Sequence, residues 1–119
     1  MNWVSRSAEK LAGFLEQFPI KINGKKCLDV GSSTGGFTQV LLSYGANRID
    51  AVDVGSNQLH ESIRSNPKVS SYEQTDIRDF AKQNNGIFYD ISVCDASFIY
   101  LYEIVDSILL VANTDTKII

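Results

Sequence analysis

The stretch CLDVGSSTGGF at residues 27–37 decides how the rest of this 119-residue chain is read. It opens as an apolar strand, passes through a glycine-rich turn and enters a helix. Such a turn brings bare backbone close to a ligand. Two further apolar runs reach acids: residues 48–54, with Asp53, and residues 89–94, followed by Asp95. In an open α/β sheet ligands sit outside the carboxyl ends of the strands, so glycines and carboxylates at those ends describe a nucleotide-type pocket.

Working outward, Ser5 stands where it can cap a helix starting at Arg6, with Leu11, Phe14, Leu15 and Phe18 at helical spacing and Pro19 closing the stretch. Asn23-Gly24 marks a turn, and a strand is predicted over 26–30. The helix after the glycine turn covers 35–44, with Phe37, Val40, Leu41 and Tyr44 on one face, and Gly45 stops it. A strand at 48–53 and a helix at 58–65, ended by Asn66-Pro67, follow. A short strand at 69–72 leads to Asp76 and a helix at 77–84, broken by Gly86. The pattern closes with a strand at 89–94, a helix at 101–111, a polar turn at 113–115 and a fifth strand opening at 117–119. This alternation predicts an α/β, Rossmann-like domain: a mostly parallel sheet with flanking helices. Residues 1–24 read as an N-terminal helix and linker, and residues 25–119 as the first strands and helices of the sheet. The last strand stops as it begins, so the domain reads as incomplete at its C-terminal end.

Hydrophobic residues make up 44% of the chain and charged residues 21%, a balance that excludes disorder. No apolar run reaches the length of a membrane helix, and the first ten residues lack the apolar centre of a signal peptide. Cys27 and Cys94 both fall in strands and read as buried, reduced thiols of a cytoplasmic protein. Two cysteines alone cannot build a structural zinc site, and His60, in a polar stretch, reads as solvated. Residues 1–48 carry six Lys or Arg against three Asp or Glu, and residues 49–119 five against eleven. The acidic average disfavours nucleic acid, whereas Arg6, Lys10, Lys21, Lys25, Lys26 and Arg48 allow a local basic face.

Three chemistries compete for residues 31–36. A phosphate loop needs lysine after its second glycine, and here Phe37 follows Gly36. A dinucleotide fingerprint needs glycine at its middle position so that backbone can approach the pyrophosphate; Ser33 stands there, between Gly31 and Gly36. S-adenosylmethionine carries no phosphate and tolerates a serine in that turn. Asp53 then falls at the spacing of an acid that accepts hydrogen bonds from ribose hydroxyls. Asp95 has two readings that stay open: it caps the next helix, or Ser97 does so and leaves Asp95 facing the pocket.

The segments SRSAEKL, CLDVGSSTGGFTQVLLSYGA, AVDVG, EQTDIRDF and CDASFI occur in the order and spacing of the hemolysin A family, which the chain resembles from Val4 to about Leu109. Those proteins look like RNA 2′-O-methyltransferases of the FtsJ-like class. The resemblance implies an S-adenosylmethionine-dependent methyltransferase fold. It assigns Gly31, Ser32, Ser33, Gly35, Gly36 and Phe37 to the methyl-donor turn and Asp53, with Val54 beside it, to the ribose. It assigns Asp76, with Ile77, to the adenine, and it places Asp95 at the donor as well. Lys10 and Asp95 match the first two members of a Lys-Asp-Lys-Glu catalytic set. A ribose hydroxyl is a poor nucleophile near neutral pH, and a lysine held by a carboxylate can orient it and help accept its proton. Without the resemblance Lys10 reads as a solvated helix lysine.

Ser7 and Ala8 stand where that family usually has glycines, and Ser56-Asn57 where an aromatic and a glycine are common. The family's later lysine and glutamate would lie beyond Ile119 and its N-terminal S4-type RNA-binding domain before Met1, so this stretch alone is expected to be inactive. The expectation is therefore a methyltransferase domain acting on ribosomal RNA in the cytoplasm, with no membrane and no metal. An exposed sheet edge would invite a dimer. The rivals are a small-molecule methyltransferase on the same fold and a non-catalytic or cytolytic protein; no amphipathic membrane segment supports lysis.

Overall fold

The computed structural model of the chain describes residues 2–95 and 98–118. Strands β1 (Lys26–Val30), β2 (Arg48–Val52), β3 (Val69–Tyr72), β4 (Tyr89–Cys94) and β5 (Ala112–Ile118) alternate with helices α1 (Arg6–Gln17), α2 (Gly36–Ser43), α3 (Glu61–Arg64), α4 (Ile77–Gln83) and α5 (Phe98–Leu110). All paired strands are parallel, in the order β3-β2-β1-β4-β5. The chain runs outward from β1 to β3 and then jumps back to lay β4 on the other side of β1. That reversal opens a crevice at the carboxyl ends of β1 and β4. The sheet is the Rossmann-like arrangement predicted from the alternation of elements.

A central parallel strand is covered on both faces, and β1 reads accordingly as a nearly continuous apolar run. Cys27 faces one core with Ala8, Leu11 and Leu15 of α1 and Phe37, Val40 and Leu41 of α2. Leu28 and Val30 face the other, with Ile77 and Phe80 of α4 and Ile104 and Ile108 of α5. The buried positions of α1 follow the helical period, while Phe14 and Phe18 stay exposed and stack on each other at 5.1 Å. Both cysteines are free thiols; Cys27 is buried and Cys94 half-buried.

Four expectations change. Ser5 occupies the N-cap position of α1, but its side chain makes no capping hydrogen bond because it is pressed against Gly36. The helix predicted over 58–65 shrinks to the single turn of α3. Residues 54–60 instead fold over the glycine turn: His60 N–H donates to Thr34 O, and Leu59 is buried against Gly35. His60 is exposed, as read, and its Nδ1 also caps α3 by accepting from Ser62 N–H. Helix α5 begins at Phe98, three residues earlier than predicted.

The polar turn at 113–115 lies inside β5, as an irregularity of its pairing with β4. Tyr89 pairs with Ala112 and Ile91 with Lys117, so β5 carries extra residues between two ladder contacts. Thr116 closes the irregularity by donating to Tyr89 O and accepting from Asn113 N–H. Ser97, the alternative helix cap, and Ile119 lie outside the described residues. No described helix is long and apolar enough to cross a membrane.

Tyr89 ties the two halves of the sheet. Its hydroxyl donates to the buried Asp50 Oδ2 at 2.6 Å, and Arg48 pairs with the other oxygen at 3.2 Å. Tyr89→Phe leaves one lone-pair direction of a buried carboxylate unmatched. It should lower unfolding free energy by about 1–3 kcal/mol, read by urea denaturation.

Candidate active site

The crevice at the carboxyl end of β1 is built from backbone first. Gly31 and Ser32 N–H groups both donate to Val52 O, pinning the turn to β2. Ser33 then takes a left-handed conformation, φ 50°, a geometry that glycine adopts freely and serine adopts at a cost. Its N–H donates to Asp53 Oδ1 at 3.3 Å, while Gly55 N–H donates to Oδ2 at 2.9 Å. Asp53 thus braces the turn, and each of its oxygens keeps acceptor capacity.

Gly36 is where α1 meets this turn. A Cβ there would collide with the Ser5 hydroxyl and lie 2.8 Å from the Ala8 backbone nitrogen. The first turn of α1 therefore rests on the start of α2. From that seat α1 directs Ser7 and Lys10, three residues apart on one helix face, at the end of β4. Ser7 Oγ donates to Asp95 Oδ2 at 2.8 Å, and Lys10 Nζ lies 3.4 Å from Asp95 Oδ1. The lysine is mostly exposed and the carboxylate one-third exposed, so the ion pair contributes little to stability.

Asp29 lies beneath the same turn. It is 1% exposed and accepts a 2.7 Å hydrogen bond from the Thr38 hydroxyl of α2. Burial pushes its pKa up to about 7; the bonds from Thr38 oppose this, and the charges of Asp53 and Asp95 add to it. Three carboxylates from three adjacent strands therefore surround one glycine turn.

The crevice has two lobes that meet at Gly31. One, of about 230 Å³, is lined by Ser5, Ser7, Asp29, Ser32, Ser33, Thr34, Gly36, Phe37 and Asp95. The other, of about 140 Å³, is lined by Val30, Val52, Asp53, Val54, Thr75, Ile77 and Tyr100. Of the residues singled out from sequence, Gly31, Ser32, Ser33, Gly36, Phe37, Asp53, Val54, Ile77 and Asp95 line one lobe or the other. Gly35 sits behind the turn at φ 98°, packed on Leu59 and Ile63 with no room for a side chain. Lys10 reaches the first lobe only through Asp95.

Asp76 lies between two lining residues but is itself engaged elsewhere. Its carboxylate caps α4 and takes the Arg78 guanidinium at 2.7 Å, which holds its pKa below the usual carboxylate range. Sequence reasoning passed over Asp29, Ser5 and Ser7. An acid inside a central apolar strand was the available signal for Asp29, because burying a carboxylate is costly. Ser5 and Ser7 carry no comparable signal.

A sequence profile of FtsJ-like methyltransferases matches residues 3–114. The chain belongs to the FtsJ-like methyltransferase family. It is 50% identical over 99 residues to the 23S rRNA (cytidine-2'-O)-methyltransferase TlyA of Campylobacter jejuni, covering 83% of this chain and 38% of that protein. Among solved structures, a hemolysin-named protein from Lactococcus lactis superposes with a TM-score of 0.89 at 39% identity, over 99% of this chain and 57% of the other. SMU.776, a methyltransferase-named protein complexed with SAH, superposes with a TM-score of 0.74 at 16% identity, over 97% of this chain and 35% of that one, a likeness of fold alone. The FtsJ-like domain thus spans less than half the length of its TlyA relative.

Two outcomes follow from the geometry. A folded-state pKa raised above 3.8 means that Asp29 favours the fold when protonated, and that this contribution is lost as pH rises through about 7. Asp29→Asn removes the titration, so the gain in Tm of the variant over the parent should be largest at pH 8, smaller at pH 5 and absent below about pH 3.8, by thermal unfolding. Gly36→Ala forces the first turn of α1 outward; it should cost about 1–3 kcal/mol by chemical denaturation and abolish the Lys10–Asp95 contact.

Proposed function

We propose that this chain is the methyl-transfer domain of an enzyme that moves the methyl group of S-adenosylmethionine to a ribose 2′-hydroxyl of ribosomal RNA. The observation that carries the reading is the meeting of Lys10 Nζ and Asp95 Oδ1 at 3.4 Å beside the glycine turn. The TlyA relative is named for that reaction on cytidine.

The residues present suit the donor. The two lobes together fall in the range of small-ligand sites, roughly 300–1,000 Å³. Asp29, Asp53 and Asp95 favour a cationic ligand over the negative pyrophosphate of a dinucleotide. Ser5 lines the first lobe, and its buried Oγ has no hydrogen-bond partner among the described residues, a need that a ligand group reaching it would meet. On this reading the first lobe, with Ser5, Asp29 and Asp95, holds the amino-acid end. Asp53 accepts from the ribose hydroxyls, and Val54, Ile77 and Tyr100 flank the base. When bound, S-adenosylmethionine supplies a methyl group on a positively charged sulfur.

The chain's own residues then align the acceptor. Lys10 Nζ donates to the ribose oxygen and Asp95 Oδ1 accepts from its hydrogen. The hydroxyl is thereby held in one orientation, and its proton passes to Asp95 as the oxygen takes up the methyl group, so that no net positive charge is left on the oxygen. Because the reaction is a displacement in line with the attacking oxygen, orientation supplies much of the rate. Asp76 belongs to the reading only as a further acceptor at the base, added to its Arg78 contacts.

The test is transfer of labelled methyl from S-adenosylmethionine to ribosomal subunits by the full-length protein, with ribose methylation mapped by mass spectrometry. Asp95→Ala and Lys10→Ala should each lower the rate at least a hundredfold, within the range for a positioned acid–base group. Each should shift Tm by about 1 °C or less, because the pair is an exposed one. Label that appears only on small molecules would assign the domain to a different acceptor, and tighter calorimetric binding of NAD than of S-adenosylmethionine would overturn the donor.

A further inference from the structure

The two oxygens of Asp95 are divided between two residues of one helix face. Oδ2 accepts from Ser7 Oγ at 2.8 Å, and Oδ1 faces Lys10 Nζ at 3.4 Å. Among the described residues these are its only hydrogen-bond partners. They differ in what they can fix. The lysine is long, largely exposed and at the outer limit of hydrogen-bond distance, so it leaves the carboxylate free to turn. The serine is short, with one χ angle and a donor at good distance. It also sits beside Ala8, which is fully buried and abuts Gly36. The seat of α1 on the glycine turn is thus transmitted to Asp95 through a single hydroxyl.

We propose that Ser7 is a positioning residue: its hydroxyl holds Asp95 so that Oδ1 is turned toward Lys10 and the acceptor hydroxyl. The proposal rests on the methyl-transfer reading of the Lys10–Asp95 pair and adds a third member to it. A glycine at this position has no group to offer, so the brace belongs to chains that carry a hydroxyl here. Ser7 also lines the first lobe, and its backbone is set by α1. Removal of its hydroxyl therefore leaves the wall of the lobe in place and frees only the carboxylate.

The experiment compares Ser7→Ala and Ser7→Thr with the parent in the full-length protein. Ser7→Ala should lower kcat for RNA methylation about tenfold, the size of a lost hydrogen bond to a charged group. KM for S-adenosylmethionine should stay within about twofold. Ser7→Thr, which keeps the hydroxyl, should restore kcat to within about threefold of the parent. The side-chain carboxyl ¹³C resonance of Asp95 is read in parallel and needs no turnover. It should move in Ser7→Ala and return in Ser7→Thr. An active parent with unchanged kcat in Ser7→Ala, or a rise in KM alone, overturns the positioning role. An unmoved Asp95 resonance overturns it independently of activity. A parent that transfers no methyl to RNA sinks the functional reading instead, and the resonance still decides whether Ser7 orders Asp95.

Discussion

Everything at the carboxyl edge of this sheet depends on the first turn of α1 lying against a residue with no side chain. Gly36 leaves just enough space for the Ser5 hydroxyl and the Ala8 amide. The attraction that keeps α1 there is apolar: Ala8, Leu11 and Leu15 are buried among residues of α2, β1, β2 and β4. The two leucines alone supply several kcal/mol by the usual value of roughly 1.5–3 kcal/mol for a fully buried large aliphatic group. The exposed Lys10–Asp95 pair supplies far less. The polar contacts at the crevice are therefore consequences of helix packing.

The acids of the chain divide into two kinds. Asp50 is answered by Tyr89 and Arg48, and Asp76 by Arg78. These carboxylates are engaged in holding the fold. Among the described residues, Asp53 accepts from the backbone N–H groups of Ser33 and Gly55, and Asp29 from Thr38. With Asp95 they gather three carboxyl groups around a turn whose neighbouring cation, among the described residues, is the loosely held Lys10 ammonium. Asp29 is the sharpest case, since its surroundings favour the protonated form near neutral pH. A site in that condition is matched by a positively charged ligand, which restores the ionised carboxylate.

Much of the fold was legible because strands such as β1 and β4 are largely apolar runs between turn residues. The spans predicted for β1, β3 and β4 agree with the structure. The misread segments are those in which tertiary contacts override local pattern. Residues 58–60 look helical, yet are drawn over Gly35 by Leu59 and by the His60–Thr34 hydrogen bond. Residues 113–115 look like a turn, yet the Thr116 hydroxyl, bonded to Asn113 N–H and Tyr89 O, closes them into an irregularity within a strand. In the site, glycines and strand-end acids announce themselves by type and position. Asp29 did not, because it was absorbed into an apolar run. The meeting of Lys10 with Asp95 was reached only through the family resemblance; no periodicity in the chain links residues 85 positions apart.

That separation also has a meaning in time. The glycine turn, its brace at Asp53 and the β1–β2 pairing lie within about one quarter of the chain and involve local closures, which are fast. The contacts of Ser7 and Lys10 with Asp95 close loops of 88 and 85 residues. On a ribosome adding about 5–20 residues per second, α1 waits roughly 4–17 s before its partner strand is even synthesised. The glycine turn and the Lys10–Asp95 pair are thus separate events in the life of the chain. Until β4 arrives, an amphipathic N-terminal helix stands with its apolar face seeking cover, and α2 with β1 and β2 is the surface available to give it.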